Sequence, residues 1–135
     1  STDGIAIRES MKLALEDSGL NGKDIDHINL HASGTQQNDE AEYNALLDII
    51  GDSLPDISAF KGNHGHALGG ANLIEVALSW KMLEENIIPP TPKLLSVDAY
   101  DAIKKREKSK PFTGKTILKT ASGFSGIHAS LVMEK

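Results

Sequence analysis

Cysteine is absent from the 135-residue chain. That excludes a disulfide framework, thiolate-ligated zinc and a cysteine nucleophile drawn from these residues. Aromatics are scarce, 4% of the chain with a single Trp, and few interrupt the one basic stretch, Lys104, Lys105, Arg106, Lys108 and Lys110. Without rings for bases to stack on, that stretch reads as a solvated loop, not a nucleic-acid patch. Positive charge is also in deficit. The 14 Lys+Arg face 19 Asp+Glu, a formal −5, which argues against a protein whose task is to neutralise phosphate backbones. No apolar run approaches the roughly 18 residues that span a bilayer, so no membrane partner is expected. The first residues, Ser1-Thr2-Asp3-Gly4, carry no Met, basic n-region or apolar h-region, and are expected to be a cut end. What remains, 39% hydrophobic and 24% charged residues, suits one modest soluble core.

Hydrophobic periodicity predicts a helix over residues 4–18, where Ile5, Ile7, Met11, Leu13, Ala14 and Leu15 recur. His27-Ile28-Asn29-Leu30-His31 reads as a short buried strand. A second helix is predicted from about 38 to 50, stopped by Gly51, and Ile57–Phe60 as a second strand. From Gly65 to Glu85 the pattern is helical, Gly- and Ala-rich at first and then apolar nearly all round, as in a buried helix. Pro89, Pro90 and Pro92 end it. Residues 93–115 read as a polar loop. Thr116–Thr120 and Ile127–Met133 read as closing strands around Ser122-Gly123-Phe124-Ser125-Gly126. Alternating strands and helices followed by two adjacent strands predict a layered α/β sheet with an antiparallel end.

Three polar clusters interrupt these elements at strand ends, where ligands of open α/β sheets bind. The first is His31-Ala32-Ser33-Gly34-Thr35 with Asp39 and Glu42. The second is Lys61, His64 and His66, with Glu75 further on. The third is the turn around Phe124. A His64-x-His66 zinc pair lacks a Cys or carboxylate close by, so His64 is read as neighbourhood and no metal site is expected.

In these clusters the chain resembles the β-ketoacyl-[acyl-carrier-protein] synthases, decarboxylating condensing enzymes of the thiolase-like superfamily. Their His-Gly-Thr-(Gly/Ser)-Thr motif, then Asp and Glu, is matched by His31–Thr35, Asp39 and Glu42. Their Lys-x-x-x-Gly-His-x-x-Gly-(Ala/Gly)-Ala motif with a later Glu is matched by Lys61, Gly65, His66, Gly69, Gly70, Ala71 and Glu75. Ile88-Pro89-Pro90-Thr91 reproduces the usual connector, and Gly123–His128 the closing glycine turn. Four motifs in order and correctly spaced make a specific match.

The resemblance implies a thiolase-like C-terminal half: a layered mixed sheet with helices packed on it and two antiparallel closing strands, over residues 1–135. The nucleophilic Cys belongs to the family's N-terminal half, which this chain lacks, so the chain alone is expected to be inactive. His31 and His66 are implied to polarise a malonyl thioester during decarboxylation, with Lys61 paired to Glu75. Ser33 and Thr35 stand where the family binds the phosphopantetheine arm, and Phe124 where it has a gating ring. For Asp39 and Glu42, support of the site and simple complementing of a helix dipole both remain open. The implied partners are an acyl carrier protein and a second synthase subunit, in a cytoplasmic setting. No cofactor is implied beyond the carrier's own arm. Four departures stand out: Ala32 and Ser125 replace glycines, Ser122 a Phe and His128 an Asn. They leave as the alternative a non-catalytic subunit resembling a chain-length factor.

Overall fold

A computed structural model describes residues 2–61, 65–66, 68–91 and 108–135, without the side chains of Thr2, Asp3 and Phe124. His64 and the basic residues Lys104, Lys105 and Arg106 lie outside the described residues. In chain order the elements are α1 (Thr2–Ser18), β1 (His27–Asn29), α2 (Gln36–Ile50), β2 (Asp56–Ser58), α3 (Ala71–Glu85), β3 (Ile87–Ile88), β4 (Lys110–Pro111), β5 (Thr116–Ser122) and β6 (His128–Glu134).

One four-stranded sheet runs in the order β2-β1-β5-β6, with β1 parallel to both neighbours and β5 antiparallel to β6. This is the mixed sheet with an antiparallel end that the motif order predicts. Short β1 is buried on both faces, which is why it reads as a continuous run instead of an alternation. Along β5 the faces separate. Leu118 joins the core built from Ile7, Met11 and Leu15 of α1 and Ala45 and Leu46 of α2. Its neighbour Ile117 joins Phe60, Met82, Leu83, Ile88 and Phe112 on the other side. Helices α1 and α2 therefore cover one face of the sheet and α3 the other, a three-layer arrangement.

Several expectations need correction. Ile5 and Leu13 of α1 are 56% and 61% exposed, so the buried stripe is Ile7, Met11 and Leu15. The third helix begins at Ala71, not Gly65. Gly65 at φ +75° and Leu68 at φ +48° hold left-handed backbone that an α-helix cannot contain, and Leu68–Gly70 forms a single 3₁₀ turn instead. Nor is α3 buried all round. Ala71, Glu75, Ser79, Met82 and Leu83 face inward, while Leu73, at 75% exposure, Ile74, Leu78 and Trp80 face out. The segment read as a loop contains β4, which pairs antiparallel with β3. Among the described residues no helix is long and apolar enough to cross a membrane.

The closing turn between β5 and β6 is a 3₁₀ turn, Phe124–Gly126, in which Ser125 has φ +65° and ψ +30°. A left-handed non-glycine residue costs about 1–2 kcal/mol, and glycine gives back about 0.5–1 in chain entropy. Because Ser125 is exposed, Ser125→Gly is expected to stabilise the fold by about 0.5–1 kcal/mol. Urea unfolding measures this; a loss of stability would show that the hydroxyl makes a contact worth more than the strain.

Candidate active site

The site begins where β1 runs out. Leu30 N–H still donates to the Ser58 carbonyl, but at His31 the ladder partner is gone and side chains replace it. His31 N–H is 3.0 Å from both Glu42 Oε1 and Thr120 Oγ1, and Ala32 N–H donates to Glu42 Oε2 at 2.9 Å. Thr120 Oγ1 also donates to Glu42 Oε1. Glu42 is thus a clamp reaching from α2 to the end of β1, buried to 3% exposure, and not a dipole complement at the helix end. Ala32 lies in left-handed backbone at φ +42°. That explains why glycine suits this position and alanine strains it.

Three more elements converge on the His31 ring. Lys61, just past β2, places Nζ 3.3 Å from Nδ1 and donates to the His31 carbonyl as well. The same ammonium is 2.9 and 3.0 Å from the two carboxylate oxygens of Glu75 on α3, the ion pair expected from the sequence. Asn72, one turn before Glu75, has Oδ1 3.2 Å from Nδ1. The ammonium needs a lone pair on Nδ1 and the amide oxygen needs a hydrogen there, so the two contacts compete.

From the loop before α3, His66 sets its ring edge-on to His31, with centroids 5.6 Å apart and planes at 83°. The left-handed kink at Leu68 turns that residue's N–H back onto His66 Nδ1 at 3.2 Å. With Nδ1 accepting, neutral His66 carries its proton on Nε2. His31, His66, Lys61 and Glu75 therefore form one cluster. Ser33 and Thr35 lie beyond the end of β1, their hydroxyls 3.1 Å apart and Thr35 exposed. The Phe124 ring falls outside the described side chains, but the ends of its turn are tied by Ser122 Oγ and His128 Nδ1 at 2.9 Å. Two of the four sequence departures thus contact each other.

The sequence reading missed Lys119. It is on β5, 1% exposed, with Nζ 3.5 Å from Glu75 Oε2 and donating to the Thr120 carbonyl. Burial pulls its pKa down, while Glu75 and Glu42 hold it up. Asn72 and Thr120 were missed as well. Among the described residues, no group of three or more His, Asp or Glu is arranged to hold a metal ion.

Two groups of the cluster titrate far from their ordinary ranges. Burial first, then the Lys61 and Lys119 charges, bring His31 down to about 4, so its ring is neutral near neutral pH. Burial first, then Glu42, push Asp39 up to about 6, against the pull of the Gly34 N–H and Lys61. The consequences for stability have opposite signs. A depressed His31 contributes stability that is complete above its ordinary 6.5 and is lost as pH falls toward 4. A raised Asp39 favours the fold below its ordinary 3.8, an advantage lost as pH rises toward 6. Each limb is worth about 1–2 kcal/mol once solvent screening is allowed for, so they nearly cancel in the mildly acid range. Asp39→Asn is expected to raise stability near neutral pH by about 1–2 kcal/mol and to unmask a steep acid loss. Urea midpoints measured across the acid range test this; a profile parallel to that of the unaltered protein would clear Asp39 of any part in it.

Solved structures show where such an arrangement belongs. The chain is similar, with a TM-score of 0.89 and 32% identity, to AntDE:AntF, a type II PKS acyl-carrier protein in complex with its ketosynthase; the match covers 99% of this chain and 34% of that one. It is similar to the ishigamide ketosynthase/chain length factor with a TM-score of 0.88 and 28% identity, over 96% of this chain and 32% of that one. The fold is that of the thiolase-like ketosynthases. Residues 1–94 match the family model "Beta-ketoacyl synthase, C-terminal domain", and the chain belongs to that family. The 3-oxoacyl-[acyl-carrier-protein] synthase 2 of Mycobacterium tuberculosis is 39% identical over 95 residues, 70% of this chain and 22% of that protein. The chain spans about a third of the length of the curated relatives that it matches along nearly all of its own.

Proposed function

We propose that these 135 residues are the C-terminal portion of a 3-oxoacyl-[acyl-carrier-protein] synthase, supplying the decarboxylation half of a Claisen condensation in fatty-acid or polyketide-type chain elongation. The observation that carries this is the edge-on pair of imidazoles, 5.6 Å apart, backed by the Lys61–Glu75 ion pair. Loss of CO2 from a malonyl thioester leaves its electron pair on the α-carbon as an enolate, whose oxygen needs hydrogen-bond donors already in position. Two imidazole Nε2–H groups meet that need without bringing a buried cation to the reacting atoms. The enolate carbon then attacks an acyl thioester, a C–C bond forms, and the thiolate leaves. With no cysteine in the chain, that thiolate belongs to an upstream portion of the polypeptide. The exposed apolar side chains Leu73, Ile74, Leu78 and Trp80 on α3 supply a surface such a portion would cover.

The carrier's phosphopantetheine arm arrives as part of the substrate, and the hydroxyls of half-buried Ser33 and exposed Thr35 suit its amides. An acyl carrier protein as partner is supported by the solved ketosynthase complex that contains one. The rival, a non-catalytic subunit, draws support from the relative that joins a ketosynthase to a chain length factor. Incubating the full-length polypeptide with an acyl primer and malonyl-[acyl-carrier-protein] decides between them. Release of CO2 with a β-ketoacyl product supports the synthase; no release alone, but a change in product length when added to an active synthase, establishes the rival.

A further inference from the structure

Glu75 is fully buried, and two ammoniums share its one carboxylate: Lys61 at 2.9 Å and Lys119 at 3.5 Å. Pairing Glu75 requires a single cation, and Lys61 already reaches both oxygens. Lys119 is therefore a second cation on a carboxylate that one already reaches at both oxygens, and with 1% exposure, held by Glu75 and the Thr120 carbonyl, it adds positive charge to the cluster. It cannot touch a substrate. Besides Glu75, Glu42 and Lys61, its charge reaches the His31 ring, whose Nδ1 is contested between Lys61 and Asn72.

We propose that Lys119 is a positioning residue that fixes the tautomer of His31, keeping its proton on Nε2. A hydrogen on Nδ1 would point its positive end at the Lys61 ammonium, 3.3 Å away, which shares Glu75 Oε2 with Lys119. A lone pair in that place is attracted by both. Asn72 then turns its carboxamide end for end, at no cost in shape, and offers Nδ2 to the cluster. Every element around the ring takes part in the balance. Lys61 and Lys119 oppose a proton on Nδ1; Glu75 on α3 favours one. On α2, Glu42 is occupied by the N–H groups of His31 and Ala32 and by the Thr120 hydroxyl. Asp39 is charged above about 6, and His66 accepts from Leu68. Two cations over the one carboxylate they share leave the Nδ1 side positive. Both rings of the pair then carry Nε2–H.

This inference rests on the condensing reading for its purpose, since that chemistry is what needs two Nε2–H donors, but its test reads the ring and not turnover. Long-range ¹H–¹⁵N correlation of the ¹⁵N-histidine-labelled full-length polypeptide separates an Nε2–H ring from an Nδ1–H ring by the shifts of the two nitrogens. The unaltered protein is expected to show His31 with Nε2 protonated and a titration midpoint near 4. Lys119→Met is expected to bring in the Nδ1–H form and move the midpoint up toward the ordinary 6.5, while Lys119→Arg, which keeps the charge, leaves both as they were. A folded Lys119→Met with an unchanged ring overturns the proposal. Should that variant not fold, Lys119→Gln, which keeps a donor for the Thr120 carbonyl without the charge, takes its place under the same two outcomes, and Nδ1–H at His31 in the unaltered protein overturns the proposal by itself. An unchanged ring alongside normal CO2 release would retire the role of Lys119 and keep the condensing reading; the reverse pair of results would do the opposite.

Discussion

Glu75→Gln is expected to destabilise the fold by about 3–5 kcal/mol, the scale for breaking a buried ion pair by removing one partner. The substitution barely changes shape, so cavity formation contributes little and the effect is electrostatic. Glu75 is fully buried, and Lys61 and Lys119 are 8% and 1% exposed at their side chains. Without the carboxylate, two ammoniums would face each other across a neutral amide, with no water to take up their charge. The same logic gives a compensating variant. Lys61→Met with Lys119→Met in the Glu75→Leu background removes every charge at once, and should recover most of the loss. Urea unfolding of the single and triple variants provides the check. A Glu75→Gln variant within about 1 kcal/mol of the unaltered protein would mean that the ammoniums lose their protons or find water, and that the cluster is less tightly coupled than its distances imply.

Much of this cluster was readable from the chain, because the spacing of His31, Lys61, His66 and Glu75 around two short strands forced them toward one end of the sheet. The stop at Gly51 and the antiparallel β5–β6 end followed from local rules, and the Lys61–Glu75 pair from the family resemblance. Gly51 takes φ +97° and its N–H closes onto the Leu47 carbonyl, as a helix terminator should. The start of α3 did not follow. The apolar period ran back through Gly65–Gly70, but periodicity does not register a left-handed Leu68, and the backbone there is set by the contact its N–H makes with His66.

Lys119 escaped for a different reason. A lysine inside Ile117-Leu118-Lys119-Thr120 reads as the solvent side of an alternating strand. Yet β5 sits between β1 and β6, with α1 and α2 on one face and α3 on the other, so no position in its middle faces water. The signal lay in the topology: once β5 is a central strand, its only cation must have a buried partner, and Glu75 is the carboxylate within reach. The left-handed positions make the complementary point. Ala32 and Ser125 were noticed as departures from glycine, and both carry positive φ.

Replacing His31 or His66 by Ala, in the full-length polypeptide that carries this chain, is expected to abolish CO2 release from malonyl-[acyl-carrier-protein]. Loss of one donor to a developing oxyanion lowers turnover by about 10²–10³, and here the second donor has no other partner with which to share the enolate charge. The two variants should differ in what else they disturb. His31 is 5% exposed and its ring is tied to Lys61, so His31→Ala is expected to lower stability as well and to leave Lys61 with Glu75 and the backbone carbonyl of position 31. His66 is exposed in this chain, so His66→Ala should leave the urea midpoint nearly unchanged while turnover falls. Acyl loading onto the upstream cysteine that the proposed function requires, followed separately with a radiolabelled primer, should survive in both. That separates loss of decarboxylation from loss of the nucleophile. CO2 release at the unaltered rate in His66→Ala would leave a single imidazole carrying the enolate, and the 5.6 Å ring pair would then be a packing contact.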